Sequence, residues 1–220
     1  MKRFLILFFF IALLAGCVAP SISVVVKKEA TKPFSKVLVI YLDEACDFSM
    51  FDSTTYNICV KGCFIKTDNY EVRTKVEKIL SEALASRGTA IVRSSALFKT
   101  RAASYTDFNR SIDSVGIDAI LLVDFQKYMH DMHIDAPTRA GNGIQYSSGV
   151  APGYNGNGIE HQVLNSGFQC YLISPQNMLA PLWLAQLGAR GDHYTGKKGL
   201  NENLAQKIAK SLKGMGYIAQ

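Results

Sequence analysis

Apolar positions along the chain recur with two different periods. Val37-Leu38-Val39-Ile40-Tyr41-Leu42 is an unbroken run rich in β-branched residues, as expected of a strand buried on both faces. Ala90-Ile91-Val92 predicts a second strand, and residues 117 to 128 a third, centred on Ile120-Leu121-Leu122-Val123. Between the first two strands the period lengthens. Val72, Val76, Ile79, Leu80, Ala83 and Leu84 recur at helical spacing over 69 to 87. Asp68 and Glu71 give that helix a capping-box-like start, and Gly88 fits its stop. Phe108, Ile112 and Val115 predict a shorter helix near 107 to 115, ended by Gly116. Residues 168 to 173 and 182 to 189 alternate around Ser174-Pro175-Gln176-Asn177, the pattern of a hairpin. Leu204, Ile208 and Leu212 mark a last helix over about 201 to 213, with Asn201 as its cap.

Strands separated by helices need parallel crossovers, whereas a hairpin adds antiparallel strands. The expected fold class is therefore α/β (α+β): a mixed β-sheet built β-α-β-α-β, then a β-hairpin and a C-terminal helix. It is expected to occupy 36–220 as a single domain, interrupted by a Gly/Asn-rich insertion at 129–166. From 139 to 166, glycine, asparagine and serine dominate and only two tyrosines appear, Tyr146 and Tyr154. Such a composition cannot bury a core. Its plain reading is a mobile linker. The sharper one is a recognition loop in which Tyr146 and Tyr154 touch a partner, since tyrosine supplies contact area at low entropy cost.

Ahead of the domain, Lys2 and Arg3 precede eleven apolar residues, 4 to 14. That run is too short to cross ~30 Å of hydrocarbon comfortably and fits the core of a signal peptide, assigned to 1–16. It ends in Leu14-Ala15-Gly16-Cys17, which resembles the bacterial lipobox. The resemblance implies cleavage before Cys17, whose thiol then takes the diacylglyceryl group. Several acyl chains at ~0.8 kcal/mol per buried CH₂ anchor a protein without any transmembrane helix. Val18, rather than an aspartate, implies by the same resemblance the outer membrane; the lack of an acidic cluster after Cys17 points to its periplasmic side. Residues 17–35 read as a lipidated tether, in which Val24-Val25-Val26 can dock as an edge strand. Removing Lys2 and Arg3 leaves 22 basic residues against 18 acidic ones, a net of +4 and too mild to imply nucleic acid.

The first strand Lys36-Val37-Leu38-Val39-Ile40, the helix end Ser86-Arg87-Gly88 and the segment Gly116-Ile117-Asp118-Ala119-Ile120-Leu121 belong together with the lipobox and tether. So does the strand opening Pro181-Leu182-Trp183. In this combination the chain resembles the TolB N-terminal-domain-like envelope lipoproteins. That group includes the curli secretion channel subunit and the outer-membrane lipoprotein activators of penicillin-binding proteins. The resemblance covers about 36 to 128 and 167 to 215, and the insertion at 129–166 departs from it. It implies binding and assembly rather than catalysis.

Four cysteines remain after Cys17: Cys46, Cys59, Cys63 and Cys170. An oxidising envelope permits disulfides. Cys59-Val60-Lys61-Gly62-Cys63 suits a three-residue hairpin loop with a glycine bulge, so the expected disulfide is Cys59–Cys63. Cys170, alternating with Phe168 and Leu172, reads as a buried free thiol. His130 and His133, with a carboxylate of the same stretch, are the candidate metal ligands, and His161 lies further on. Two histidines beyond a strand end are more often solvated, so no metal and no cofactor are assigned. No G-x-S-x-G precedes a helix and no phosphate-binding glycine loop follows a strand. No catalytic residue is assigned.

The expectation is thus a non-catalytic cell-envelope lipoprotein, a binding or adaptor module for an envelope protein. The alternatives are a self-assembling structural or secretion-related lipoprotein, and an enzyme or metal-binding protein whose site carries no familiar motif. The self-assembling relative needs two alternating runs of about ten residues as membrane-spanning hairpins. None is seen in 129 to 166.

Overall fold

The computed structural model describes residues 21–28, 32–66, 69–101, 103–134, 160–176, 180–191 and 202–219. The expectations for the signal peptide, Cys17, Val18, Asp68, Tyr146, Tyr154 and Asn201 lie outside the described residues. Among the described residues the chain forms a six-stranded mixed sheet flanked by helices, an α/β fold of the expected class. Its strands are β1 (Ser21–Lys27), β2 (Lys36–Leu42), β3 (Ala90–Arg93), β4 (Ala119–Ile134), β5 (Glu160–Ile173) and β6 (Trp183–Gly191). They lie in the order β1-β6-β5-β4-β2-β3. β2 runs parallel to both β3 and β4, with Val37 opposite Ile91 on one side and Ala119 on the other. β4, β5, β6 and β1 pair antiparallel in succession.

The continuous apolar runs are explained by cover on both faces. Val37, Val39 and Tyr41 of β2 join Leu121 and Val123 of β4 in one core. Against that core pack the helices α3 (Tyr70–Leu84), through Val76 and Leu80, and α6 (Glu202–Gly214), through Leu204, Ile208 and Leu212. Leu38, Ile40, Leu42, Ile120 and Leu122 point the other way, into a core completed by Phe108 and Ile112 of α5 (Tyr105–Val115). Each such side chain, taken out of water, contributes roughly 1.5–3 kcal/mol.

Local signals set the helix ends. Ser104 caps α5, accepting the Asp107 N–H at 3.1 Å. Gly116 closes it with a left-handed φ of 73°, and the Ile117 N–H bonds back to Ile112. The stop foreseen at Gly88 is displaced. α3 ends at Leu84, and Gly88, with φ 96°, turns the chain between the bridged pair Ser86 and Thr89. Glu77, buried in α3, fastens that helix to the sheet and to the short helix α4 (Ser94–Leu97): its carboxylate accepts the Tyr41 N–H at 3.2 Å, the Ser95 N–H at 2.8 Å and the Ser94 hydroxyl.

Two segments differ from the sequence expectation. Residues 53 to 65 are helical, as α1 (Ser53–Thr55), a π-helical turn (Tyr56–Val60) and α2 (Lys61–Ile65), where a hairpin was expected. Asp52 caps this run by accepting the Thr55 N–H at 2.8 Å, and Tyr56, Val60, Cys63 and Phe64 bury one helical stripe. The third strand was expected to stop at 128 and give way to a linker through 166. Instead β4 and β5 pair from Ile120 opposite Ile173 out to Ile134 opposite Glu160. β2 accompanies β4 only to Asp124, and β6 accompanies β5 only from Leu164. Among the described residues, the outer part of β4 and β5 is therefore a two-stranded ribbon. Its pairing rests on backbone bonds, which polar sequence does not forbid.

Candidate binding groove beside the disulfide

Parallel strands of an open sheet usually leave a ligand crevice beyond their carboxyl ends, where the connections diverge. Here the chain fills that place itself. After Leu42 the backbone turns through 43–52 into the helical run, bringing Phe48, Phe51, Tyr56 and Phe64 to full burial. Their rings interlock with α5 and its approach. Tyr56 and Phe108 lie 4.7 Å apart, Phe98 and Phe108 5.3 Å, and Phe48 meets Tyr171 edge-on at 5.4 Å. Such pairs add about 0.5–1.5 kcal/mol beyond burial. Arg73 seals the far side, its guanidinium 5.0 Å from the centre of the Phe64 ring and donating to the Cys63 carbonyl at 3.2 Å.

Beside this plug lies an open groove of about 690 Å³. Tyr171, Gln169 and Leu184 line it from the sheet, Val26 and Lys28 from the end of β1, and Ala45, Cys46, Asp47 and Ser49 from the loop after β2. Ala180 and Pro181 complete it. Its polar groups hold the shape. Asp124, fully buried, accepts the Cys46 N–H at 2.9 Å and the Gln169 N–H at 3.2 Å, tying loop to sheet. The Tyr171 hydroxyl donates to Gln169 Oε1 at 2.8 Å. Burial, assisted by the Asp124 charge, pushes the Tyr171 phenol up to about 12, so it is a neutral donor at neutral pH. Lys28 is placed by Tyr217, whose hydroxyl accepts the Lys28 N–H at 3.1 Å and donates to the Leu182 carbonyl at 2.9 Å. No sequence motif announced this groove. The visible signal was one acid, Asp124, inside the apolar run 119 to 125.

The disulfide is Cys46–Cys59, with Cα atoms 6.1 Å apart, and not the expected Cys59–Cys63. The reason is local. Residues 59 to 63 are helical rather than a hairpin, so they are not set across from one another as strand partners. Cys63 turns inward and donates to Asp43 Oδ1 at 3.6 Å, while Cys59 faces the loop that carries Cys46. The thiol of Cys63 is pushed up to about 12, by burial first and by Asp43 next. Cys170 is a buried free thiol, held well above the ordinary thiol range by burial, with Asp124 contributing. Neither is a nucleophile at neutral pH.

The candidate ligands His130 and His133 fall on the β4–β5 ribbon, opposite Leu164 and His161 respectively. They stand three residues apart in one strand, an odd separation that places the two positions on opposite faces. Among the side chains described in the packed body, no three His, Cys, Asp or Glu gather for a metal. No helix among the described residues is long and apolar enough to cross a membrane.

No protein-family model matches the chain, and no curated protein matches it. Among solved structures it is similar to the PelC dodecamer from Paraburkholderia phytofirmans, with 13% identity, 90% of this chain and 98% of that one covered, and a TM-score of 0.43. It is also similar to lipoprotein GNA1162 from Neisseria meningitidis, with 16% identity, 82% and 96% covered, and a TM-score of 0.35. These are distant likenesses.

Proposed function

We propose that this protein is a non-catalytic envelope lipoprotein of the TolB N-terminal-domain-like kind. It is anchored through Cys17 in the outer membrane on the periplasmic side, and it binds a protein partner in the groove beside Cys46. The observation that carries the reading is the groove itself, an apolar-walled cleft in which the Tyr171 hydroxyl and the Gln169 amide bond to each other and Asp124 ties the loop to the sheet. The disulfide-closed segment also exposes Met50 by 47% and Ile58 by 74%, apolar surface of the sort that partners cover. A disulfide within the fold supports an oxidising compartment, in line with the lipobox. Tyr146 and Tyr154 remain proposed as a second contact of the partner.

The test is photocrosslinking in intact cells from a residue installed at exposed Ser49, with exposed Lys210 on α6 as the reference. A discrete adduct from Ser49 and none from Lys210 is expected. Equal adducts, or none from either, would count against the groove. A second reading, a self-assembling structural or secretion-related lipoprotein, is favoured by the two-stranded extension of β4 and β5 beyond their neighbours. Its mark would be a multiple of the protomer mass in detergent, with no foreign partner crosslinked.

A further inference from the structure

Strand β1 ends the sheet, and among the described residues no further strand covers its outer edge. No charged side chain interrupts that edge from Ser21 to Val26. Its inner side is paired with β6 as far as Lys27 opposite Trp183, and one residue further the Lys28 N–H donates to the Leu182 carbonyl at 2.8 Å. Backbone groups of successive strand residues point to alternate sides, so the Lys27 N–H and C=O turn outward, away from β6. An open row of this kind has one complement, the backbone of another strand. The groove reaches this edge. Tyr171 of β5 is opposite Leu184 of β6, and Leu184 is opposite Val26 of β1, a row of direct partners that all line the groove. Lys28, two residues beyond Val26 and so on the same face, lines it as well. A strand laid against β1 places its own side chain next in that row.

We infer that the open edge of β1 takes an extended segment of the protein partner as an added strand. An apolar side chain of that segment continues the row of Tyr171, Leu184 and Val26, and an acidic one, two residues along, faces Lys28. Main-chain bonds hold such a segment, and pockets for its alternate side chains select it. The acid follows from Lys28, because opposite charges across a ladder attract and like charges repel. This inference rests on the proposed reading of the groove as a protein-binding cleft, and it names the class of partner: an extended strand with alternating apolar and acidic positions on one face.

The probe is a capped, dye-labelled heptapeptide with valine at its centre, glutamate two residues to either side and threonine elsewhere. It is titrated by fluorescence anisotropy into the full-length lipoprotein in detergent. Saturable binding of one peptide per chain is expected, and the same peptide with N-methylated central amides should not bind. Lys27→Pro removes an edge N–H at a place where sheets tolerate proline, and should weaken binding about tenfold. Lys28→Glu should also weaken it, and a peptide carrying lysine for glutamate should restore it. Melting curves check that both variants keep the fold. The inference is overturned by no saturable binding, by equal binding of the N-methylated peptide, or by binding that Lys27→Pro leaves unchanged. A protein that doubles its mass in detergent, and returns to one protomer in Lys27→Pro, would assign the edge to a second copy and overturn it too. The groove is judged separately: an adduct from Ser49 in cells that Lys27→Pro does not change keeps the groove and refutes the added strand.

Discussion

Tyr171 shows how a single side chain serves both packing and the groove. Its ring meets Phe48 edge-on at 5.4 Å, and its hydroxyl donates to Gln169 at 2.8 Å while facing the solvent-open cleft. Removing that hydroxyl with Tyr171→Phe should cost about 0.5–1.5 kcal/mol. Its pH signature is more specific. The folded phenol ionises at about 12 against an ordinary value of 10, so the fold holds its proton more tightly than the unfolded chain does. The stability this group contributes is fully present below pH 10 and lost as pH rises through about 12. Spectrophotometric titration of Tyr171→Phe should therefore lose a late-ionising phenol and keep the earlier ones. Loss of an early phenol instead would show that Tyr171 is open to water. The cysteines make a second residue-scale prediction. Non-reducing peptide mapping should recover Cys46 joined to Cys59, with Cys63 and Cys170 unlabelled by thiol reagents until the chain unfolds. Cys46→Ser should destabilise by about 3 kcal/mol, the value for closing a loop of this size.

Among the elements, those buried on two faces were the ones legible in the sequence. β2 and the inner part of β4 had nowhere to place a polar side chain, so 37 to 42 and 120 to 123 read directly as strands. α3, α5 and α6 each bury one stripe, and period alone located them. The helical run 53 to 65 also carries a stripe, Tyr56, Val60, Cys63 and Phe64. It was hidden because two cysteines four apart suggested a crosslinked turn, a chemical pattern that outweighed the hydrophobic one. The outer ribbon was illegible for another reason: its ladder is made of backbone groups, and its polar sequence carries no burial signal. The groove needed Asp124, Cys46 and Tyr171 to meet across 125 residues, which only the fold arranges. At this scale α6 is the element to remove. Leu204, Ile208 and Leu212 cover the same core that β2 begins, so a chain ending at 199 should lose its sharp thermal transition by circular dichroism. A truncated chain that melts cooperatively at the parental temperature would show that α6 is an accessory.

At the scale of the whole molecule, the proposed anchor sets the position of a preformed body from outside its fold. β1 lies at the edge of the sheet, antiparallel to β6, and its end forms one wall of the groove. β1 begins at Ser21, four residues after Cys17, so the proposed anchor would place the groove near the bilayer. In the proposed lipoprotein, acyl chains on Cys17 alone hold this body at the membrane. The direct measurement is fractionation of cells expressing the parent or Cys17→Ser, with a high-salt wash of the membranes and a melting curve on each form. The parent should stay with the outer membrane, and Cys17→Ser should appear in the soluble fraction with the parental melting temperature. A Cys17→Ser protein that remains in the washed membranes would show that something other than acyl chains holds it there.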